Sequence, residues 1–229
     1  MRNDTAIMRI SIFYLASIYA LGLAAGFAAE KNVIFIIADD ESPTLGCYGD
    51  PIAKTPAIDA IAADGTLFRN AFATTASCSA SRSVVMSGLH NHLNGQYGHA
   101  HSFHKFSSFH NVISYSLPRV MAEEGYRTGH IGKYHVAPEE VFHYETFMKA
   151  DGRNPVEMAN TAKEFITADS EKPFLLYFGT SDPHRGGGKD QTAESELKPD
   201  LFGNKPNKQS HEGVEEVFYK LDEVVIPHF

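Results

Sequence analysis

Two short, unbroken apolar runs constrain this chain more than any other feature. Lys31 to Ala38 reads KNVIFIIA, and Phe174 to Gly179 reads FLLYFG. Neither run alternates with polar residues, and neither is long enough for an ordinary buried helix. Each therefore predicts a strand buried on both faces of a parallel sheet. Both runs stop abruptly in polar residues, the first at Asp39-Asp40-Glu41 and the second at Asp182-Pro183-His184-Arg185.

Helical signals fall between the two runs. Thr55 as N-cap, Pro56 at the first helical position, Ile58 and Ile61 on one face, and Gly65 beyond the end predict a helix over Pro56 to Asp64. An extended Thr66 to Phe72 follows. A second helix is predicted from just after Cys78 to about Ser87, where Gly88 ends it. A third covers Ser116 to Glu124, closed by Gly125, and leads through a strand at Tyr126 to Ile131 into Gly132-Lys133-Tyr134-His135. A fourth covers Pro155 to Ala168, with Ala159, Ala162, Phe165 and Ile166 on its apolar side.

Strands alternating with helices predict an α/β fold with a largely parallel central sheet flanked by helices. Ligands of such sheets bind beyond the carboxyl ends of the strands. Asp39-Asp40, Lys133 with His135, and Asp182 with His184 are therefore expected to converge.

The ends of the chain read differently. Arg2 and Arg9, an apolar run from Ile10 to Leu23 and small residues up to Ala28 have the three-part layout of a secretory signal peptide. The apolar run is shorter than the ~20 residues a membrane span requires. Residues 1–28 are thus expected to be cleaved, leaving a secreted or periplasmic protein with no stable membrane span. A net charge of −8 excludes a general electrostatic attraction to nucleic acid. Gly186 to Gly213 reads as a long polar surface loop, and the apolar close of Val217 to Phe229 reads as a C-terminal truncation.

Two segments could carry chemistry. Paired carboxylates at Asp39 and Asp40 suit a hard cation such as calcium or magnesium, or else cap a turn. In Ser77-Cys78-Ser79-Ala80-Ser81-Arg82-Ser83, Cys78 falls at a helix N-terminus that favours an anion, and Arg82 projects on the same side four residues on. The competing reading is a buried or disulfide-bonded cysteine beside a surface arginine. Cys47 and Cys78 are the two cysteines, and one disulfide is the default for a pair in an oxidising compartment. Cys47 otherwise reads as a buried small residue, and Asp59, Asp64 and Glu123-Glu124 as solvated helix-face charges.

Five segments in order, NVIFIIADDESPTLGCYGD, TPAIDAIAADGTLFRNAF, SCSASRSVVMSGLHNHLNGQYG, YRTGHIGKYHVAPE and KPFLLYFGTSDPHRG, resemble the sulfatase family. The HNHLNGQYG and GKYHVAPE versions point toward its sulfamidase branch. The resemblance implies an alkaline-phosphatase-like sulfatase fold and makes residues 29–229 the N-terminal part of the catalytic domain. It implies that Cys78 is oxidised by formylglycine-generating machinery and that the resulting formylglycine is the nucleophile. It further implies that Asp39, Asp40 and the residue derived from Cys78 bind Ca2+, and that Arg82 orients the nucleophile. Lys133, His135 and His184 would face the sulfate and leaving group.

The implied reaction is hydrolysis of sulfamates or sulfate esters, with N-sulfoglucosamine of heparan-type glycosaminoglycans as the expected sulfated sugar. Homodimerisation is the expectation for the full-length form. Two departures from the family pattern stand out. Ala80 occupies the proline position of the usual C-x-P-x-R signature, and an Asp-Asn pair that completes the family's calcium site has no counterpart here. The alternatives are a phosphodiester or phosphonate hydrolase of the same superfamily, or an inactive fragment that binds sulfated sugars. His90, His92, His99, His101, His104 and His110 fit no zinc spacing and read as the border of the substrate pocket.

Overall fold

The computed structural model describes residues 31–101, 103–168, 171–184, 220, 222 and 223. Residues 1–28, expected to be a signal peptide, and residues 186–213, expected to be a polar loop, lie outside them, as does the 217–229 segment apart from Lys220, Asp222 and Glu223. All described elements belong to the unit Val33–Phe229.

The order of elements is β1 (Val33–Asp39), α1 (Pro56–Asp64), α2 (Cys78–Ser87), α3 (Asn91–Asn94), α4 (Leu117–Glu123), β2 (Arg127–Gly132), β3 (Thr146–Met148), α5 (Pro155–Thr167) and β4 (Phe174–Pro183). Short 3-10 turns occupy Gly46–Tyr48 and His110–Tyr115. The strands form a four-stranded sheet in the order β1-β4-β2-β3, and all its pairings are parallel. This is the α/β architecture that alternating strand and helix signals predict.

β4 is an interior strand, as is β2, and matches the two-faced burial expected of it, with Phe174, Leu175, Leu176 and Tyr177 all buried. β1 does not. It is an edge strand among the described residues, and Ile34 and Ile36 on one face are 49% and 61% exposed. Its other face carries Phe35 and Ile37, which pack against the core around Tyr177 and Tyr144. A second apolar layer, Ile131, Met158, Ala162, Phe165 and Leu176, lies between the sheet and α5.

α5 begins where Asn154 accepts a hydrogen bond from the Glu157 backbone N–H, with Pro155 in the first turn. Its buried face is Met158, Ala162 and Phe165, so Met158 takes the place expected of Ala159, which is exposed. Helical geometry explains the difference, because 158, 162 and 165 follow the i, i+4, i+7 stripe.

α1 keeps its predicted bounds but buries no residue. Thr55 does not cap it with its side chain. Instead its Oγ1 donates to Asp59 Oδ1 at 2.9 Å and accepts from the Gly46 N–H at 2.9 Å. Asp59 is accordingly half-buried rather than a solvated face charge, and also accepts from the Cys47 N–H at 2.7 Å. Cys47 is half-buried. Thr66 to Phe72 joins no strand, and Phe72 is 90% exposed.

Candidate active site

β1 delivers the first component of the site. Asp39 is its last residue and is buried, while Asp40 turns the chain away with a left-handed φ of 63°. Aspartate tolerates this region better than most residues do. The two neighbouring carboxylates thus have unlike settings, one enclosed and one exposed.

α2 delivers the second component. Ser77 is its extended N-cap residue and Cys78 its first, and Gly88 closes it in the left-handed region with φ 65°. Cys78 is a half-buried free thiol, and Cys47 is also free, so the default disulfide is not formed. One turn on, Arg82 lies buried beneath it. Its Nη2 donates to Asp39 Oδ1 at 3.0 Å, and its Nη1 donates to the Tyr177 hydroxyl and the Lys133 carbonyl, each at 2.9 Å. Arg82 is therefore not the surface arginine of the competing reading.

The end of β2 delivers the third component. Gly132 and Gly179 face each other across the β2–β4 ladder. A Cβ at Gly132 would fall 2.1 Å from the Gly179 carbonyl oxygen, and one at Gly179 would fall 2.5 Å from the Lys133 carbonyl oxygen and 3.1 Å from Arg82 Nη1. Only glycine permits this approach. It allows Lys133 to turn its ammonium onto Asp39 Oδ2, so that Asp39 is bridged by two cations.

Burial alone would raise the Asp39 carboxyl, but hydrogen bonds and charge from Lys133 and Arg82 outweigh it and hold the carboxyl below its ordinary value. His135, with a left-handed φ of 57°, is pushed down to about 4 by burial, reinforced by the Lys133 charge and by His101, His99 and Arg82. It is neutral at pH 7. His130, one turn of strand below, is likewise pushed down to about 4, mainly by burial, and stacks on Tyr177 with ring centroids 5.3 Å apart.

The end of β4 delivers the fourth component. Arg153 donates to Asp182 Oδ1 and, at 2.9 Å, to the His184 carbonyl, which pins the segment carrying His184.

Two adjoining hollows collect these residues. One, of about 610 Å³, is lined by Cys78, Lys133, His135 and His184 together with His99, His101 and Arg153. The other, of about 490 Å³, is lined by Asp39, Asp40, Cys78, Arg82 and His184. The seven residues given site roles by the resemblance, Asp39, Asp40, Cys78, Arg82, Lys133, His135 and His184, thus line one or both hollows, and Cys78 and His184 belong to both. Asp39, Cys78 and His184 each offer a ligand atom within 4.8 Å of the other two.

Tyr177 and Arg153 were not evident beforehand. Tyr177 carries the Arg82 guanidinium, and Arg153 binds Asp182, which the strand-end reading did single out, and holds the His184 segment; a polar residue inside an apolar strand was the available signal for Tyr177. The HNHLNGQYG stretch serves partly as scaffold. Asn91 Nδ2 donates to the carbonyls of Ala80 and Gln96 at 2.9 and 2.7 Å, and Asn94 Nδ2 donates to Ser83 Oγ at 3.1 Å. Ser79 Oγ accepts from the Ala100 N–H at 3.1 Å. These bonds fasten the histidine-bearing loop to α2. Ala80, at the family's proline position, is fully buried in this network.

A family model described as Sulfatase matches residues 31–211. The human N-sulphoglucosamine sulphohydrolase is 37% identical over 179 residues, covering 75% of this chain and 35% of that protein. An ulvan-active sulfatase of Formosa agariphila is 32% identical, covering 70% of this chain and 32% of that protein. The chain thus spans about a third of the length of these relatives. A Bacteroides fragilis crystal structure superposes with a TM-score of 0.60 at 22% identity, covering 70% of this chain and 46% of that one. A structure solved with its substrate D-glucosamine-2-N,6-O-disulfate superposes with a TM-score of 0.55 at 23% identity, over 68% of this chain and 35% of that one.

Proposed function

The chain belongs to the sulfatase family, and from that premise we propose that it carries the nucleophile-bearing part of an exported hydrolase of sulfamates or sulfate esters. N-sulfoglucosamine of heparan-type glycosaminoglycans is the substrate this reading favours. The observation that carries it is that Cys78 lines both hollows, beside the buried Arg82–Asp39 pair and the half-buried Lys133 that bridges to it. The 37% identity to the human N-sulphoglucosamine sulphohydrolase supports the choice of sugar.

In this reading Cys78 is oxidised to formylglycine, whose hydrated aldehyde supplies one hydroxyl to attack sulfur and a second to expel sulfate afterwards. Asp39 and Asp40 fit a hard cation: they are neighbouring oxygen donors, and Asp39 offers a ligand atom within 4.8 Å of the Cys78 sulfur. With the residue at 78 they would hold calcium, which supplies positive charge against the sulfuryl oxygens.

The remaining steps belong to side chains of this chain. Arg82, held on Tyr177 and the Lys133 carbonyl, keeps a fixed positive charge beneath residue 78. Lys133 pairs with the Asp39 carboxylate from the end of β2, and a calcium ion at Asp39 would compete with it there. His135 enters neutral at pH 7, so it accepts rather than donates a proton at first contact. Donation to the leaving nitrogen or oxygen then falls to Lys133 or His184, a contribution worth roughly 10²–10⁴-fold.

The test compares turnover of N-sulfoglucosamine, an aryl sulfate and an aryl phosphodiester by the full chain co-produced with formylglycine-generating machinery. Turnover of the sulfur substrates that a chelator stops and Ca2+ restores supports the reading. Turnover of the phosphodiester alone would replace it with a phosphodiesterase.

A further inference from the structure

Three imidazoles meet beside Cys78, and the hydrolase reading does not use them all. His135 stacks on His99, with centroids 5.6 Å apart at 17°, and on His101, with centroids 4.4 Å apart at 27°. Stacking alone requires only that ring faces touch. Here a nitrogen of His99 and a nitrogen of His135 also come within 4.8 Å of each other and of the Cys78 sulfur.

His135 divides its two nitrogens. Nε2 meets His101 Nδ1 in a hydrogen-bonding contact, whereas Nδ1 is buried without a hydrogen-bond partner. Metal-ligating histidines adopt this division: one N–H is given to a neighbouring acceptor, which fixes ring and tautomer, and the other nitrogen keeps its lone pair for the ion.

We propose that, while Cys78 remains a thiol, Cys78 Sγ, a ring nitrogen of His99 and His135 Nδ1 bind a zinc-class transition-metal ion, with His101 positioning His135. A sulfur and two imidazoles suit zinc or cobalt(II) and do not suit calcium, which takes oxygen ligands. Three such ligands leave the fourth position open to solvent within the 610 Å³ hollow. Cys78 ligates as thiolate, its proton passing to solvent on binding. The site shares position 78 with the calcium site proposed at Asp39 and Asp40 and differs from it in donor type. It holds whether or not Cys78 is ever oxidised, so its failure and that of the hydrolase reading are separate results.

The test uses the full chain with Cys78 as thiol, verified by mass, stripped with chelator and titrated with Co2+ alone. The expected result is one equivalent bound, with a thiolate-to-cobalt charge-transfer absorption that excess Ca2+ leaves in place. Cys78→Ser removes that absorption, and His101→Ala weakens binding roughly 10- to 100-fold while preserving it. His99→Ala also weakens binding; should it fail to fold, the near-isosteric Cys78→Ser carries the test. Cobalt bound without the charge-transfer absorption, cobalt displaced by Ca2+, or an affinity unchanged in Cys78→Ser would overturn the proposal.

Discussion

Arg82 Nη2 lies 3.0 Å from Asp39 Oδ1 with both side chains 3% exposed, joining the helix that begins at Cys78 to the carboxyl end of β1. The pair takes two charges out of water, and further bonds to Tyr177, the Lys133 carbonyl and the Lys133 ammonium offset that cost. Such a pair is sensitive to loss of one partner because the other is left charged and enclosed.

Asp39→Ala strands both Arg82 and Lys133, whereas Arg82→Ala leaves Asp39 with Lys133. Asp39→Ala is therefore the more damaging of the two, costing about 3–5 kcal/mol. Urea unfolding midpoints of the two variants check this order, and a larger loss in Arg82→Ala would contradict it.

Gly179 is expected to tolerate no side chain. A Cβ there meets the Lys133 carbonyl oxygen at 2.5 Å and Arg82 Nη1 at 3.1 Å. Gly179→Ala should cost about 1–3 kcal/mol, the usual range for overpacking. It should also displace Arg82, lowering turnover more than a surface Gly→Ala would. Thermal unfolding together with kcat measures both effects.

Acid should loosen the fold through His130 and His135, which sit at about 4 in the folded chain against an ordinary 6.5. Between those values the unfolded chain binds protons that the folded chain excludes, so stability rises with pH. The contribution is fully present above about pH 6.5 and is lost as pH falls to about 4. For the buried His130 it is on the order of 3 kcal/mol; the more exposed His135 adds less. Denaturant midpoints measured from pH 7 to 4.5 should fall, and His130→Gln should remove its share of the slope. Asp39, whose carboxyl is lowered, adds a loss of the same sign at more acidic pH.

The apolar runs predicted the strands well but not which was central. KNVIFIIA and FLLYFG look equally buried as sequences, yet among the described residues β4 has neighbours on both sides and β1 on one. Sheet order is a long-range property, and nothing within either run encodes it. The caps were legible only in part: Gly88 closes α2 as its position suggests, whereas Thr55 gives α1 no side-chain cap and Asn154, which caps α5, was not singled out. The meeting of Asp39, Lys133 and His184 was also legible, because strand ends of a parallel sheet lie together; Cys78, at a helix N-terminus, was tied to them by the family resemblance. The Tyr177–Arg82 bond, the Arg153 clamp and the imidazole stack depend on side-chain geometry that residue spacing does not specify.

The unequal burial of the strands has a direct consequence. Ile36 is 61% exposed and Ile131 is fully buried. Ile36→Thr should change the chain's stability by no more than about 0.5 kcal/mol, as surface substitutions do. Ile131→Ala should cost about 2–5 kcal/mol. Unfolding free energies of the two variants decide whether β1 is covered in solution.

The most direct test of the account is the mass of the Cys78 peptide taken from protein that hydrolyses a sulfate ester or sulfamate. The account predicts an aldehyde in place of the thiol, in proportion to activity. Full activity in protein whose Cys78 is entirely unmodified would contradict it.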